Sequence, residues 1–172
     1  MTCRVVITGL GAVSGLGLDL PAFWDALTAG RSAIRPLDPT IAELKIANGA
    51  MVPDYHPENF FTTDEVSLLD RVSQFAVIAA REAVNDAGLV CGDEAMTAAA
   101  VVIGSGCGGK QTDEITYDAL YRQHKKRVHP LTIPRGMPSA AASMVSMHLG
   151  IKGPTFSVAS ACASGSHALI QG

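Results

Sequence analysis

The chain has 172 residues, 48% of them hydrophobic but only 5% aromatic, with a formal net charge of −3. That length builds one domain with a sizeable core made of Ala, Val, Ile and Leu, and 17 glycines allow close backbone packing. An uninterrupted apolar span of membrane length and a basic n-region before an apolar run are both missing near the N-terminus, so neither a membrane span nor a secretory signal is expected. Cys3, Cys91, Cys107 and Cys162 lack Cys-x-x-Cys spacing, so neither a zinc site nor a disulfide scaffold is expected, and a cytoplasmic setting is.

Arg4 to Thr8 is β-branched and reads as a short buried strand, ended by Gly9-Leu-Gly11. Pro21 to Ala29 reads as a helix with Pro in its first turn, Phe23, Trp24 and Leu27 to one side, and Gly30 as its stop. Residues 36–62 hold Pro36, Pro39, Pro53 and Pro57 and are expected to be irregular, with room for short strands. Arg71 to Ala87 repeats apolar positions at helical spacing, and Gly88 follows as the cap. Ala98 to Ile103 reads as a second buried strand. A helix over about 112–121, a Pro-bounded loop over about 124–138 and a small-residue helix from Ser139 to Leu149 follow. Phe156 to Ser160 is the third strand, and Cys162 opens the next helix. Strands alternating with helices indicate an α/β protein whose parallel or mixed sheet is covered on both faces.

Charge is unevenly placed. Residues 1–118 hold all 16 acidic residues and 7 Lys/Arg, while residues 119–172 hold 6 Lys/Arg and no acid. The two parts therefore carry −9 and +6. Arg122, Lys125, Lys126 and Arg127 cluster, as a solvated face or as a docking point for an acidic partner. Nucleic acid is not expected, because no aromatic-basic interleaving accompanies the cluster.

Cys162 carries the functional reading. A strand-like run leads into it and a small-residue helix leads out. Unpaired N–H groups at a helix N-terminus stabilise negative charge on a thiol there, and on an oxyanion formed beside it. Small neighbours leave room for a substrate, which is the picture of a cysteine nucleophile for acyl transfer. The same Ala-Cys-Ala also suits plain core packing. Gly104-Ser-Gly-Cys-Gly-Gly109 fits G-x-G-x-x-G, but Tyr121 to Arg127, the region about 20 residues on where the fingerprint wants an acid for the ribose, holds none. Close backbone approach explains the glycines better than a dinucleotide does. His167 falls about 140° around a helix from Cys162, too far round to act as its base. His56, His124, His129 and His148 show no metal-ligand spacing.

Five segments then match one family in order: Val5 to Ser14; Phe23-Trp24 with Ala29-Gly-Arg-Ser32; Asp70-Arg71 with Gln74-Phe-Ala76 and Ala79 to Ala83; Gly104 to Gly109; and Leu149 to Pro154 followed by Ser160-Ala-Cys-Ala-Ser-Gly165. Together they make the chain similar to β-ketoacyl-acyl-carrier-protein synthases, nearest the type II fatty-acid elongating enzymes. The resemblance implies a thiolase-like layered α-β-α-β-α sandwich, of which residues 1–172 supply most of the N-terminal half, incomplete at the C-terminal end, and a homodimer. It implies Cys162 as acyl acceptor, and substrates carried on the phosphopantetheine of acyl carrier protein with no further cofactor and no metal. The histidines that assist malonyl decarboxylation come from the family's second half. Cys107, Thr132 and Ile133 fall where the acyl pocket and its gate lie. Lys126 and Arg127 match a carrier-docking position, whereas Thr63 to Leu69 departs from the family's other basic docking stretch. A polyketide ketosynthase and a non-catalytic partner subunit are the alternatives.

Overall fold

The computed structural model describes residues 4–37 and 45–172. Helix α1 spans Leu20–Thr28, with Pro21 in its first turn and the Asp19 side chain accepting from the Ala22 N–H. Strands β1 (Arg35–Pro36) and β2 (Asn48–Gly49) form a small antiparallel ladder inside the Pro-rich stretch. Helix α2, Thr63–Leu68, begins with a capping box between Thr62 and Glu65. Sequence periodicity does not reveal so short a helix, whose start is decided by its cap.

Helix α3, Arg71–Asp86, is the longest element, and the apolar spacing read from the sequence matches it to within a residue. Helix α4 spans Glu94–Ala98 and precedes strand β3, Val101–Gly104. Helix α5, Lys110–Tyr117, runs on into a π-helical turn over Asp118–Arg122. Helix α6, Thr132–Gly136, lies within the Pro-bounded stretch expected to be a loop. Helix α7, Ala140–Leu149, ends at Gly150 with φ 69°, a left-handed cap that glycine adopts without strain. Strand β4 is Thr155–Val158, and helix α8 is Ser164–Gln171.

The core joins α3, α7 and β3. Val77, Ile78, Val101, Val145 and Leu149 are buried together with Phe61, Leu69 and Met96. Side chains alternate along β3, so Val101 and Ile103 face this core while Gly104 faces away from it. A Cβ on Gly104 would lie 2.3 Å from the carbonyl oxygen of Ser164, so α8 packs on the opposite face at backbone distance. Strands β3 and β4 run parallel in register, Val101 beside Thr155 through Gly104 beside Val158. The parallel α/β expectation is met at this pair.

Two further expectations change. Arg4 to Thr8 forms no strand among the described residues, and Val5 is 89% exposed. A β-branched run favours extended backbone, but a strand exists only when a neighbour accepts its hydrogen bonds, and β3 and β4 pair with each other. Residues 9–12 are held differently: Leu10 N–H donates to Asp86 at 2.9 Å and Ala12 N–H to Glu82 at 2.9 Å, lashing the segment across α3. The sheet is also not covered throughout, since Phe156 is 40% exposed.

Candidate functional site

Both parallel strands open at the same edge, where ligands of α/β sheets commonly bind. Beyond β3 lies the glycine loop 104–109, and beyond β4 the turn that carries Cys162. The Ser105 N–H still donates to the Val158 carbonyl at 3.1 Å, so the strands stay paired to their exits. A Cβ on Gly106 would come within 3.9 Å of the Ala161 Cα, which puts the two loops against each other.

Cys162 lies in a 3-10 turn, Ala161–Ala163, that runs directly into α8. It precedes the helix by two residues rather than opening it. Ala161 has φ 49°, a left-handed conformation that a residue with a Cβ rarely adopts. Such backbone costs about 1–3 kcal/mol and persists only where surrounding contacts hold it. Ser164 supplies them. Its buried hydroxyl accepts from the Ser160 N–H at 2.8 Å and donates to the Ala161 carbonyl at 2.7 Å, spanning the turn on both sides. The Ser160 Oγ in turn lies 2.7 Å from His167 Nδ1. His167 therefore braces the turn from an exposed position; because Cys162 precedes the helix, the helical angle used in the sequence does not describe their relation. Ser160 and Ser164 stand one helical turn apart, a spacing visible in the sequence but silent about the turn it would brace.

Asp70 anchors the other side of the glycine loop. Its buried carboxylate accepts from Val72 N–H at 3.0 Å, from Thr112 N–H at 2.7 Å and from the Thr112 hydroxyl at 2.6 Å. One carboxylate thus caps the starts of α3 and α5 together. A Cβ on Gly109 would meet that carboxylate at 2.8 Å and the Arg135 carbonyl at 2.3 Å, so the loop is clamped between α3 and α6. The glycines serve close approach between protein segments, as read. Within the same motif, the Gln74 Oε1 accepts from the Tyr55 hydroxyl at 2.6 Å, and the Arg71 guanidinium lies 5.2 Å from the Tyr55 ring centre. The Asp-Arg-x-x-Gln motif is thereby a set of structural ties.

The remaining sequence candidates fall around this edge. Cys107 and Cys162 are both exposed, on loops that touch. Thr132 and Arg127 line a cavity of about 300 Å³ with Lys125, His129 and Arg135. Ile133 is 75% exposed and Lys126 is exposed, so the three pocket residues do not close around one space within this chain. Cys3 lies outside the described residues. Among the described residues no group of three or more His, Cys, Asp or Glu is arranged to hold a metal. Nor, among the described residues, is any helix long and apolar enough to cross a membrane.

A second polar cluster escaped the sequence reading. Arg81 lies 2.9 Å from His148 Nδ1 and donates to the Phe60 carbonyl at 3.1 Å, and Glu65 stands 3.6 Å from the same imidazole. Burial first, and the Arg81 charge second, hold the His148 pKa below its ordinary 6.5 against the opposing pull of Glu65. Beside it lies an apolar groove of about 410 Å³ lined by Leu68, Leu131, Met144 and Met147.

A parallel strand pair sandwiched by helices, with a braced turn and a glycine loop at its open edge, is a thiolase-like α/β half. The chain belongs to the β-ketoacyl synthase family: residues 2–171 match the description "Beta-ketoacyl synthase, N-terminal domain". It is 41% identical over 171 residues to Nodulation protein E of Rhizobium sp. (strain N33), covering 98% of this chain and 42% of that protein. It is 38% identical over 167 residues to 3-oxoacyl-[acyl-carrier-protein] synthase 2 of Coxiella burnetii (strain RSA 493 / Nine Mile phase I), covering 95% of this chain and 40% of that one. Among solved structures, a β-ketoacyl synthase from Burkholderia phymatum STM815 matches with TM-score 0.79 and 30% identity over 98% of this chain and 42% of its own. The ishigamide ketosynthase/chain length factor matches with TM-score 0.84 and 26% identity over 94% and 41%. The chain thus spans about two fifths of the length of these relatives.

Proposed function

We propose that this chain is the acyl-accepting part of a 3-oxoacyl-acyl-carrier-protein synthase that elongates a fatty-acid-type chain. The observation that carries the reading is the left-handed Ala161 in a serine-braced turn, which holds Cys162 exposed between a strand end and a helix start. Such stored strain is characteristic of sites where one atom must be presented in a set direction. The Cys162 thiolate attacks the thioester carbonyl of an acyl chain. The tetrahedral oxyanion is held by backbone N–H groups, the Cys162 N–H among them. Collapse expels the phosphopantetheine thiol and leaves the acyl group on Cys162. Condensation with a malonyl thioester then needs groups that stabilise an enolate as carbon dioxide leaves, and no residue of this chain is assigned to that step.

The carrier reading has the support of the Coxiella relative, whose name specifies acyl carrier protein. Lys126 and Arg127, in the stretch that holds no acidic residue after Asp118, are the proposed contact for an acidic carrier. Cys107, Thr132 and Ile133 are the proposed acyl-pocket boundary, closed by a second subunit in a cytoplasmic homodimer. A polyketide-type ketosynthase is the second reading, favoured by the likeness to the ishigamide ketosynthase/chain length factor. The length and reduction state of the released product separate the two.

The test is acyl loading. The intact protein, mixed with acyl-carrier thioester, should gain one acyl mass on the peptide holding Cys162. Cys162→Ala should abolish both that adduct and product formation. An adduct on another residue, with Cys162→Ala still loaded, overturns the assignment.

A further inference from the structure

Cys107 has no task in acyl loading that requires a thiol, yet it is a cysteine at the mouth of the site. We infer that Cys107 and Cys162 form a reversible disulfide under peroxide, making this pair an oxidative modification site.

Strands β3 and β4 are adjacent, parallel and in register up to Gly104 beside Val158. Adjacent strands lie about 4.8 Å apart. The pairing continues one residue further through Ser105 N–H and the Val158 carbonyl. The next contact is Gly106 against Ala161. Cys107 directly follows one member of that contact, and Cys162 directly follows the other. Both chains leave the sheet at the same edge, and both cysteines are exposed there. A disulfide requires Cα atoms about 4.4–6.8 Å apart, and the Gly106–Ala161 contact brings the residues next to both cysteines together at that scale. The side facing Ala161 also has slack, since a Cβ on Gly106 would find no atom nearer than 3.9 Å. Cys91, the other free cysteine among the described residues, lies before α4 and is not part of either exit.

The chemistry balances with hydrogen peroxide as oxidant. The Cys162 thiolate attacks one peroxide oxygen, the O–O bond breaks, and hydroxide leaves a sulfenic acid on Cys162. The Cys107 thiolate attacks that sulfur, the S–S bond forms, and the departing hydroxide takes a proton to become water. Two thiols are oxidised and one peroxide is reduced to two waters. The linkage stops oxidation of Cys162 short of the irreversible sulfinic acid. A dithiol reductant restores both cysteines. The linkage stands on geometry alone; its consequence, reversible loss of acyl loading, rests on the proposed role of Cys162.

The intact protein, treated with a several-fold molar excess of hydrogen peroxide, alkylated and digested without reductant, should yield the Cys107 peptide joined to the Cys162 peptide, released by dithiothreitol. Cys107→Ser should lose that species and accumulate Cys162 sulfinic acid at the same dose, whereas the unsubstituted protein should not. Equal sulfinic acid in both proteins, or Cys162 joined to Cys3 or Cys91 instead, overturns the inference. If the linkage forms but carrier thioester never loads Cys162, the proposed function fails and the thiol pair stands.

Discussion

The α3–α7 side of the molecule and the β4–α8 side are built from similar residues to opposite ends. On the first, Val77 is fully buried, Ala140, Ala141 and Ala142 are almost as well covered, and polar groups such as Asp70 are buried with their hydrogen bonds made. On the second, Leu169 and Ile170 are 80% and 76% exposed, and the one tightly organised feature is the turn around Cys162. The difference teaches where stability resides. Helix α3 and its caps hold the fold, while the site edge is held locally by two serine hydroxyl contacts and the clamped glycine loop.

The strongest way to break this contrast is Asp70→Ala. It removes a buried acceptor from two helix starts and leaves Thr112 unpaired, at a cost of about 3 kcal/mol. Urea unfolding should show the loss, and the midpoint should fall without a change of slope.

Ser164→Ala acts on the other side. It leaves the Ser160 N–H and the Ala161 carbonyl without their shared partner, costing about 1 kcal/mol. The larger effect is local: Ala161 should relax toward negative φ, and the rate of Cys162 alkylation should change while that of Cys91 does not. Peptide mapping after a short iodoacetamide pulse checks this.

His148 gives a smaller, pH-dependent effect on the first side. Its pKa is lowered in the fold, so the unfolded chain binds more protons below about pH 6.5. Stability from the neutral imidazole is therefore complete above that pH and declines as pH falls through the folded value. His148→Gln should flatten the thermal midpoint between pH 7 and pH 5 relative to the unsubstituted chain.

The least effect on stability belongs to Leu169→Ser with Ile170→Ser. Both side chains already contact solvent, so unfolding of the 172-residue chain should shift by less than about 0.5 kcal/mol. Size-exclusion chromatography should instead show more monomer, because large apolar side chains exposed side by side favour association. A midpoint drop as large as that of Asp70→Ala would erase the contrast between the two sides.

The sequence by itself determined the α/β class, the long helix with its glycine cap, the small-residue helix and the family, because each depends on local periodicity, on capping residues or on motif order. Arg71 to Ala87 was legible because its apolar spacing alone defines a buried face. Cys162 was legible because a strand-like run, small residues and a helix meet there within a few positions. Only the tertiary structure decided that Arg4 to Thr8 stays unpaired, since a strand needs a neighbour that its own residues do not specify. Distance decided the rest. Asp70 meets Thr112 and Arg81 meets His148 across gaps of 42 and 67 residues, and two loops touch at Gly106 and Ala161, far apart in the chain. Such contacts follow from how helices pack on a sheet, and no local pattern encodes them.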